Sequence, residues 1–141
     1  MLDASALLAY LRGESGADMV RGLLADTSQD CLVHAVNLCE VYYQIIRRSD
    51  ESHAMSVLED LKRLRLVVRD DFDEAFWLAV GKHKAPMKSV PLADLCAAEL
   101  ANRINAEVVT ADHDDFGPIK EQGICQVTFI RPKRRTPDSA L

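Results

Sequence analysis

The stretch EVVTADHDDFG (residues 107–117) sets the end of a strand against three carboxylates. Residues 107–111 read as a short β-strand, with Val108 and Val109 as its buried run. Asp112, Asp114 and Asp115 then fall within four positions. Like charges packed so closely repel, and each raises the pKa of its neighbours. Either they solvate a turn or they surround a cation. The second reading predicts further acids at the same edge of whatever sheet residues 107–111 join.

On either side of this stretch, strand and helix patterns alternate, with no linker, repeat or low-complexity block before the tail. Residues 1–3 form a strand stub, and residues 31–35, 66–69 and 125–130 are short apolar strands. Helical spacing runs through 4–14, 16–26, 36–48, 51–64, 70–84 and 92–104, with a break at Ser15-Gly16 and a loop between Pro86 and Pro91. Residues 114–123 read as a loop with at most a short helix. Strands alternating with helices imply a parallel α/β sheet covered on both faces. Such sheets bind ligands outside the carboxyl ends of their strands.

At 141 residues the chain has the length of one domain. Its composition, 48% hydrophobic and 28% charged, is that of a globular protein rather than a disordered one. No apolar run approaches the roughly 18–20 residues of a membrane helix. With Asp3 so near Met1, no signal peptide is expected, and the location expected is cytoplasmic. Cys31, Cys39, Cys96 and Cys125 lack CxxC spacing and sit among apolar neighbours, which suits buried thiols in a reducing compartment. The net charge of −5 disfavours indiscriminate binding of nucleic acid, although local basic patches can still guide a polyanion.

Four acids meet the test set by the opening stretch. Asp3 ends the first strand, and Glu40 lies early in the helix after residues 31–35. Asp94 opens the helix after the Pro86–Pro91 loop, and Asp112 follows residues 107–110. All four fall at the carboxyl edge of the sheet or on helix starts facing it. Each has a structural alternative: Asp3 as a helix cap, Asn37–Glu40 as a capping box, Asp94 as a partner of the helix dipole, and Asp112 as an Asx-turn.

An all-carboxylate cluster suits hard divalent ions such as Mg²⁺ or Mn²⁺, which serve phosphodiester displacement. Competing chemistries lack their motifs. There is no phosphate-cradling glycine loop, no nucleophile elbow, and no histidine pair at zinc spacing, since His34, His53, His83 and His113 are isolated. His113, between acids, could assist a proton transfer or simply sit in a surface loop.

Taken together, LDASALLAYL, VNLCEV, PLADLCAAELA and VVTADHDDF resemble the PIN domain, and more narrowly its VapC-type toxins of type II toxin–antitoxin systems. The resemblance covers residues 1–130. It implies a three-layer α/β/α fold around a central parallel sheet of about five strands. It also implies a Mg²⁺- or Mn²⁺-dependent endoribonuclease that hydrolyses RNA phosphodiester bonds with an activated water, leaving a 5′-phosphate and a 3′-hydroxyl. Asp3, Glu40, Asp94 and Asp112 match the family's metal-binding acids, and Asp115 matches a further catalytic acid. Ser5 and Thr110 match supporting hydroxyls, and Asn37 matches an Asn three residues before the Glu. Asp114 has no counterpart. Members of the family commonly form homodimers. They are silenced by a cognate antitoxin, whose arginine can take the place of the metal's charge.

Candidate RNA contacts are Arg12, Arg47, Lys82, Lys84 and Lys88. Residues 131–141 form a basic tail expected to trail in solvent. Two other readings remain. One is a catalytically silent PIN-like protein that acts only through partners, which would normally have lost an acid. The other is another Mg²⁺-dependent phosphoryl-transfer enzyme, where a phosphatase would want an Asp in place of Ser5.

Overall fold

The computed structural model of the chain describes residues 1–134. Its elements follow in the order α1 (Ala4–Leu11), α2 (Ala17–Ala25), β1 (Cys31–His34), α3 (Ala35–Arg48), α4 (Glu51–Arg63), β2 (Leu66–Arg69), α5 (Glu74–Lys84), α6 (Leu92–Arg103), β3 (Glu107–Thr110), α7 (His113–Glu121) and β4 (Gln126–Phe129). β1 pairs in parallel with β2, and β3 with β4. The amino-terminal stub joins the two pairs. Leu2 N donates to Leu32 O at 2.7 Å, Asp3 N to Val109 O at 3.2 Å, and Val109 N to Met1 O at 2.7 Å. The spatial order is therefore β2, β1, stub, β3, β4: the expected parallel sheet, with four strands and a stub in the fifth place.

Alternation along these strands builds two cores. Met1, Leu32, Val108 and Val127 face the layer of α5, α6 and α7, against Phe76, Leu95, Leu100, Phe116 and Ile119. Leu2, Val33 and Val109 face the layer of α1 to α4, against Leu7, Val20, Val41 and Leu61. The period-2 pattern of a strand thus places neighbouring residues in opposite helical layers. α6 is buried from Asp94 through Ala101, and Ala97, Ala98 and Ala101 let it lie close to the sheet.

Residues 113–121 correct one expectation. They form a nine-residue helix, α7, despite Gly117 and Pro118. An interior proline disfavours a helix by about 3 kcal/mol and a glycine by about 1. Against this stand fully buried Phe116 and Ile119, each contributing about 1.5–3 kcal/mol. The Asp112 cap adds about 1 kcal/mol. Burial and capping outweigh the helix breakers.

Gly16 separates α1 from α2 at φ +92°, a left-handed conformation that glycine adopts without strain. A Cβ there would lie 2.6 Å from Ile130 O. The break at Ser15-Gly16 is thus also a close approach between the α1–α2 turn and the end of β4. Cysteine burial is less uniform than expected: Cys96 is buried, Cys31 and Cys125 are partly so, and Cys39 is exposed on α3.

Candidate functional site

Asp3 leaves the stub at its carboxyl end and caps α1, accepting from Ala6 N at 2.9 Å. Its two oxygens also accept from Ser5 Oγ at 3.0 and 2.9 Å, and Thr110 Oγ1 donates to Oδ2 at 2.7 Å. Ser5 Oγ lies 3.0 Å from Thr110 Oγ1 and accepts from Ala111 N at 2.9 Å. Asp112 N donates to Thr110 Oγ1 at 3.0 Å. The two hydroxyls therefore bind the end of the stub to the end of β3. With its Oγ so committed, Ser5 is a support rather than a nucleophile.

Asp112 caps α7, its Oδ1 accepting from Asp114 N at 2.9 Å and Asp115 N at 3.0 Å. The structural alternatives for Asp3 and Asp112 are thus real roles, held alongside any other. The capping box does not form. His34 caps α3 through Nδ1, which accepts from Val36 N at 3.2 Å. Asn37 instead reaches across the site's floor, where Oδ1 accepts from Ala4 N at 3.4 Å and Nδ2 donates to Ala93 O at 3.1 Å. One buried amide so ties together the starts of α1, α3 and α6. Asp94, in the first turn of α6, makes no capping bond.

Asp3, Ser5, Glu40, Tyr43, Asp94, Asp112 and Asp115 line one cavity of about 270 Å³. The four expected acids and Asp115 come together there from elements up to 112 positions apart in the chain. Burial, opposed by its hydrogen bonds, pushes Asp3 up to about 6. Burial, then the charges of Asp3 and Asp115, push Asp94 up to about 8. Burial and the Asp112 charge raise Asp115 as well. The cavity therefore holds protons where exposed carboxylates hold none, the mark of anions short of positive charge.

The donor set is all oxygen, which fits Mg²⁺ or Mn²⁺ and not the softer metals. Among the described residues no three His, Cys, Asp or Glu side chains already close around a single ion. Mg²⁺ does not require that, because it keeps several waters beside one or two carboxylates. The residues present fit such an ion.

Glu40 is oriented from behind. Gln44 Nε2 donates to Glu40 Oε1 at 3.3 Å, and Arg12 Nη2 holds Gln44 Oε1 at 3.1 Å. Arg12 thus lies one residue behind the acids. Arg47 sits over the ring of Tyr43 at 4.6 Å, on the rim of the cavity. Lys82, Lys84 and Lys88 do not line it. Lys84 Nζ is committed to the carbonyls of Met87, Lys88 and Val90 at 3.3, 2.9 and 2.6 Å, bracing the loop before α6. Tyr43 was absent from the expected set, although its spacing of three from Glu40 on one helix carried the signal.

Arg131 does not trail in solvent. Its Nη1 donates to Glu14 Oε2 at 2.8 Å, and its carbonyl lies 2.7 Å from His113 Nε2. Lys133 Nζ reaches Asp114 at 3.0 Å. The remainder of the expected tail, residues 135–141, lies outside the described residues.

A parallel three-layer sheet with carboxylates gathered over its carboxyl edge defines an acid-cleft α/β protein. Residues 1–121 match the PIN domain, and the chain belongs to that family. Among solved structures it is similar to DNA-bound VapBC from Salmonella typhimurium, at 19% identity and a TM-score of 0.71 over 93% of this chain and 97% of that one. VapBC-1 from nontypeable Haemophilus influenzae matches at 19% identity and 0.71, over 92% and 96%. A toxin–antitoxin complex from Klebsiella pneumoniae matches at 17% and 0.67, over 94% and 98%. No curated protein sequence matches the chain significantly. Among the described residues no helix is long and apolar enough to cross a membrane.

Proposed function

We propose that the protein is a metal-dependent endoribonuclease, the toxin of a toxin–antitoxin pair. The observation that carries this reading is the convergence of Asp3, Glu40, Asp94, Asp112 and Asp115 on one cavity where Asp3 and Asp94 retain protons well above the ordinary carboxylate range. Likeness to VapBC and to a toxin–antitoxin complex supports the toxin role and an antitoxin partner.

One or two of Asp3, Glu40, Asp94 and Asp112 would hold Mg²⁺ or Mn²⁺ directly and the others through its waters, with Asp115 beside them. When bound, the ion supplies charge stabilisation for the phosphodiester and a water acidic enough to attack it. Ser5 and Thr110 donate to Asp3, partly offsetting the cost of ionising it in a buried place, and fix its carboxylate at the cavity wall. Gln44 and Arg12 fix Glu40. Tyr43, backed by Arg47, offers a ring at the rim on which an unpaired base can stack. A homodimer belongs to the same proposal: among the described residues β2 is paired on one side only, and Val67, Val68, Phe72, Trp77 and Leu78 are exposed on β2, α5 and the segment between them.

The test is cleavage of a mixed RNA pool by the purified protein with Mn²⁺ or Mg²⁺, with EDTA, and with Asp3→Ala and Asp94→Asn in place of the wild type. Metal-dependent cutting lost in both variants is expected. Cutting that survives in EDTA, or in Asp94→Asn at full rate, would remove the carboxylates from the chemistry.

A further inference from the structure

Beside the acid cavity lies a second one of about 250 Å³, and the two share Ser5 and Asp112 as a common wall. Its opposite wall is the segment that follows β4: Arg131, Pro132, Lys133 and Arg134. This segment is fastened at both flanks. On one side Arg131 Nη1 holds Glu14 Oε2 at 2.8 Å and approaches Ser15 O at 3.4 Å, in the α1–α2 turn. On the other, the His113 ring reaches the Arg131 carbonyl at 2.7 Å while stacking on Phe129 with centroids 3.8 Å apart. The chain is thereby held at Arg131 as a strap along one wall of this second cavity, with Lys133 and Arg134 on that wall.

The three cations differ in how far they are committed. Arg131, only 18% exposed at its side chain, is the fastener. Lys133 pairs with Asp114, but the two side chains are 66% and 84% exposed, and such surface pairs contribute about 0–1 kcal/mol. Arg134 makes no ion pair among the described residues and lines the cavity. Lys133 and Arg134 are therefore free to exchange water or a weak partner for a phosphate.

We propose that this second cavity is a phosphate subsite for the RNA strand, filled by Lys133 and Arg134, next to the phosphodiester at the acids. The proposal rests on the ribonuclease reading above. An acid cavity and a cavity with a basic wall, adjoining at Ser5 and Asp112, suit a polyanion that meets a cation at each of two successive phosphates. Contacts of this kind position a strand without reading its bases. The subsite therefore sets affinity and register, and leaves sequence preference to groups such as Tyr43.

The test compares the wild type with the double variant Lys133→Ala/Arg134→Ala on a labelled single-stranded RNA. The full chain is used with Mn²⁺ across a series of salt concentrations. The expected result is a KM raised about tenfold with kcat unchanged. The slope of log affinity against log salt should become shallower by about 1 to 1.5, as two lost phosphate contacts require. Stabilisation of the protein by Mn²⁺ should not change, which separates a substrate contact from damage to the acids. Binding of the same RNA to Asp94→Asn, with and without the two alanines, gives the affinity loss apart from cutting. Metal-dependent cleavage with KM and salt slope unchanged would overturn the subsite and leave the ribonuclease reading intact. Unchanged RNA binding combined with weakened capture of a partner protein would reassign the strap to that partner and also overturn it. A wild type that neither cuts nor binds RNA would end both proposals.

Discussion

Asp94 is the residue at which folding and function pull apart. Its carboxyl, 7% exposed, is pushed from an ordinary value of 3.8 up to about 8, first by burial and then by the charges of Asp3 and Asp115. Ionising it therefore costs the folded state more than the unfolded one. In the metal-free protein the stability contributed by keeping Asp94 protonated is fully present below about pH 4, and is lost progressively as the pH rises through about 8, by an amount on the order of a few kcal/mol. Asp94→Asn removes the titrating group. In EDTA, its unfolding midpoint in urea should exceed that of the wild type at pH 8, and its stability should fall less between pH 5 and 8. A variant less stable than wild type at pH 8 would mean that the Asp94 carboxylate is satisfied within the protein. At this scale the acids were legible because they recur at successive element junctions on one edge of the sheet, although each alone reads equally well as a cap or turn residue. Tyr43 was passed over, although it lies three residues after Glu40 and so shares a helix face with it. The role of His34, a ring nitrogen doing the work of the usual capping hydroxyl, was not legible.

Elements reach the site through a few fixed approaches, and Gly16 is one of them. A methyl group added there would lie 2.6 Å from Ile130 O and 2.7 Å from Ile130 Cγ1, at a φ of +92° that a side chain disfavours. Strain of about 1–2 kcal/mol from the backbone and about 1–3 from overpacking predicts that Gly16→Ala destabilises the fold by roughly 2–5 kcal/mol. Gly22, inside α2 with open space where its Cβ would be, is the control: Gly22→Ala should be neutral or stabilising by up to about 1 kcal/mol. Thermal unfolding of the two variants measures both. Asn37 is a second approach. Asn37→Ala would leave Ala4 N and Ala93 O without their side-chain partner in a buried setting, and a loss of about 2–4 kcal/mol is expected in the same measurement. The strand and helix order was legible because hydrophobic period and turn residues report local structure. What stayed hidden depended on distant partners. Helix α7 survives Gly117 and Pro118 only because Phe116 and Ile119 find a core. The segment after β4 is fixed only because Glu14 and His113, far away in sequence, receive Arg131.

Across the whole molecule, the acids bring separate parts of the chain to one edge of the sheet. Asp3 belongs to the stub, which joins the two strand pairs. Asp94 starts α6 in one helical layer, Glu40 lies on α3 in the other, and Asp112 begins α7. In the metal-free state their mutual repulsion pushes these elements apart, so binding a cation should stabilise the global fold rather than one loop. A ligand that binds only the folded state at 100 times its dissociation constant adds about 2.7 kcal/mol. For a domain of this size that is a rise in Tm of roughly 5–12 °C. Mn²⁺ should produce a rise of that order in the wild type, diminished or abolished in Asp94→Asn and in Asp3→Ala. Hydrogen exchange should slow together at the starts of α1, α6 and α7, and not at α7 alone. Protection confined to residues 112–117 would mean that the carboxylates of the opening stretch bind their ion locally. The convergence of the other acids would then be a consequence of the fold and not of a shared site.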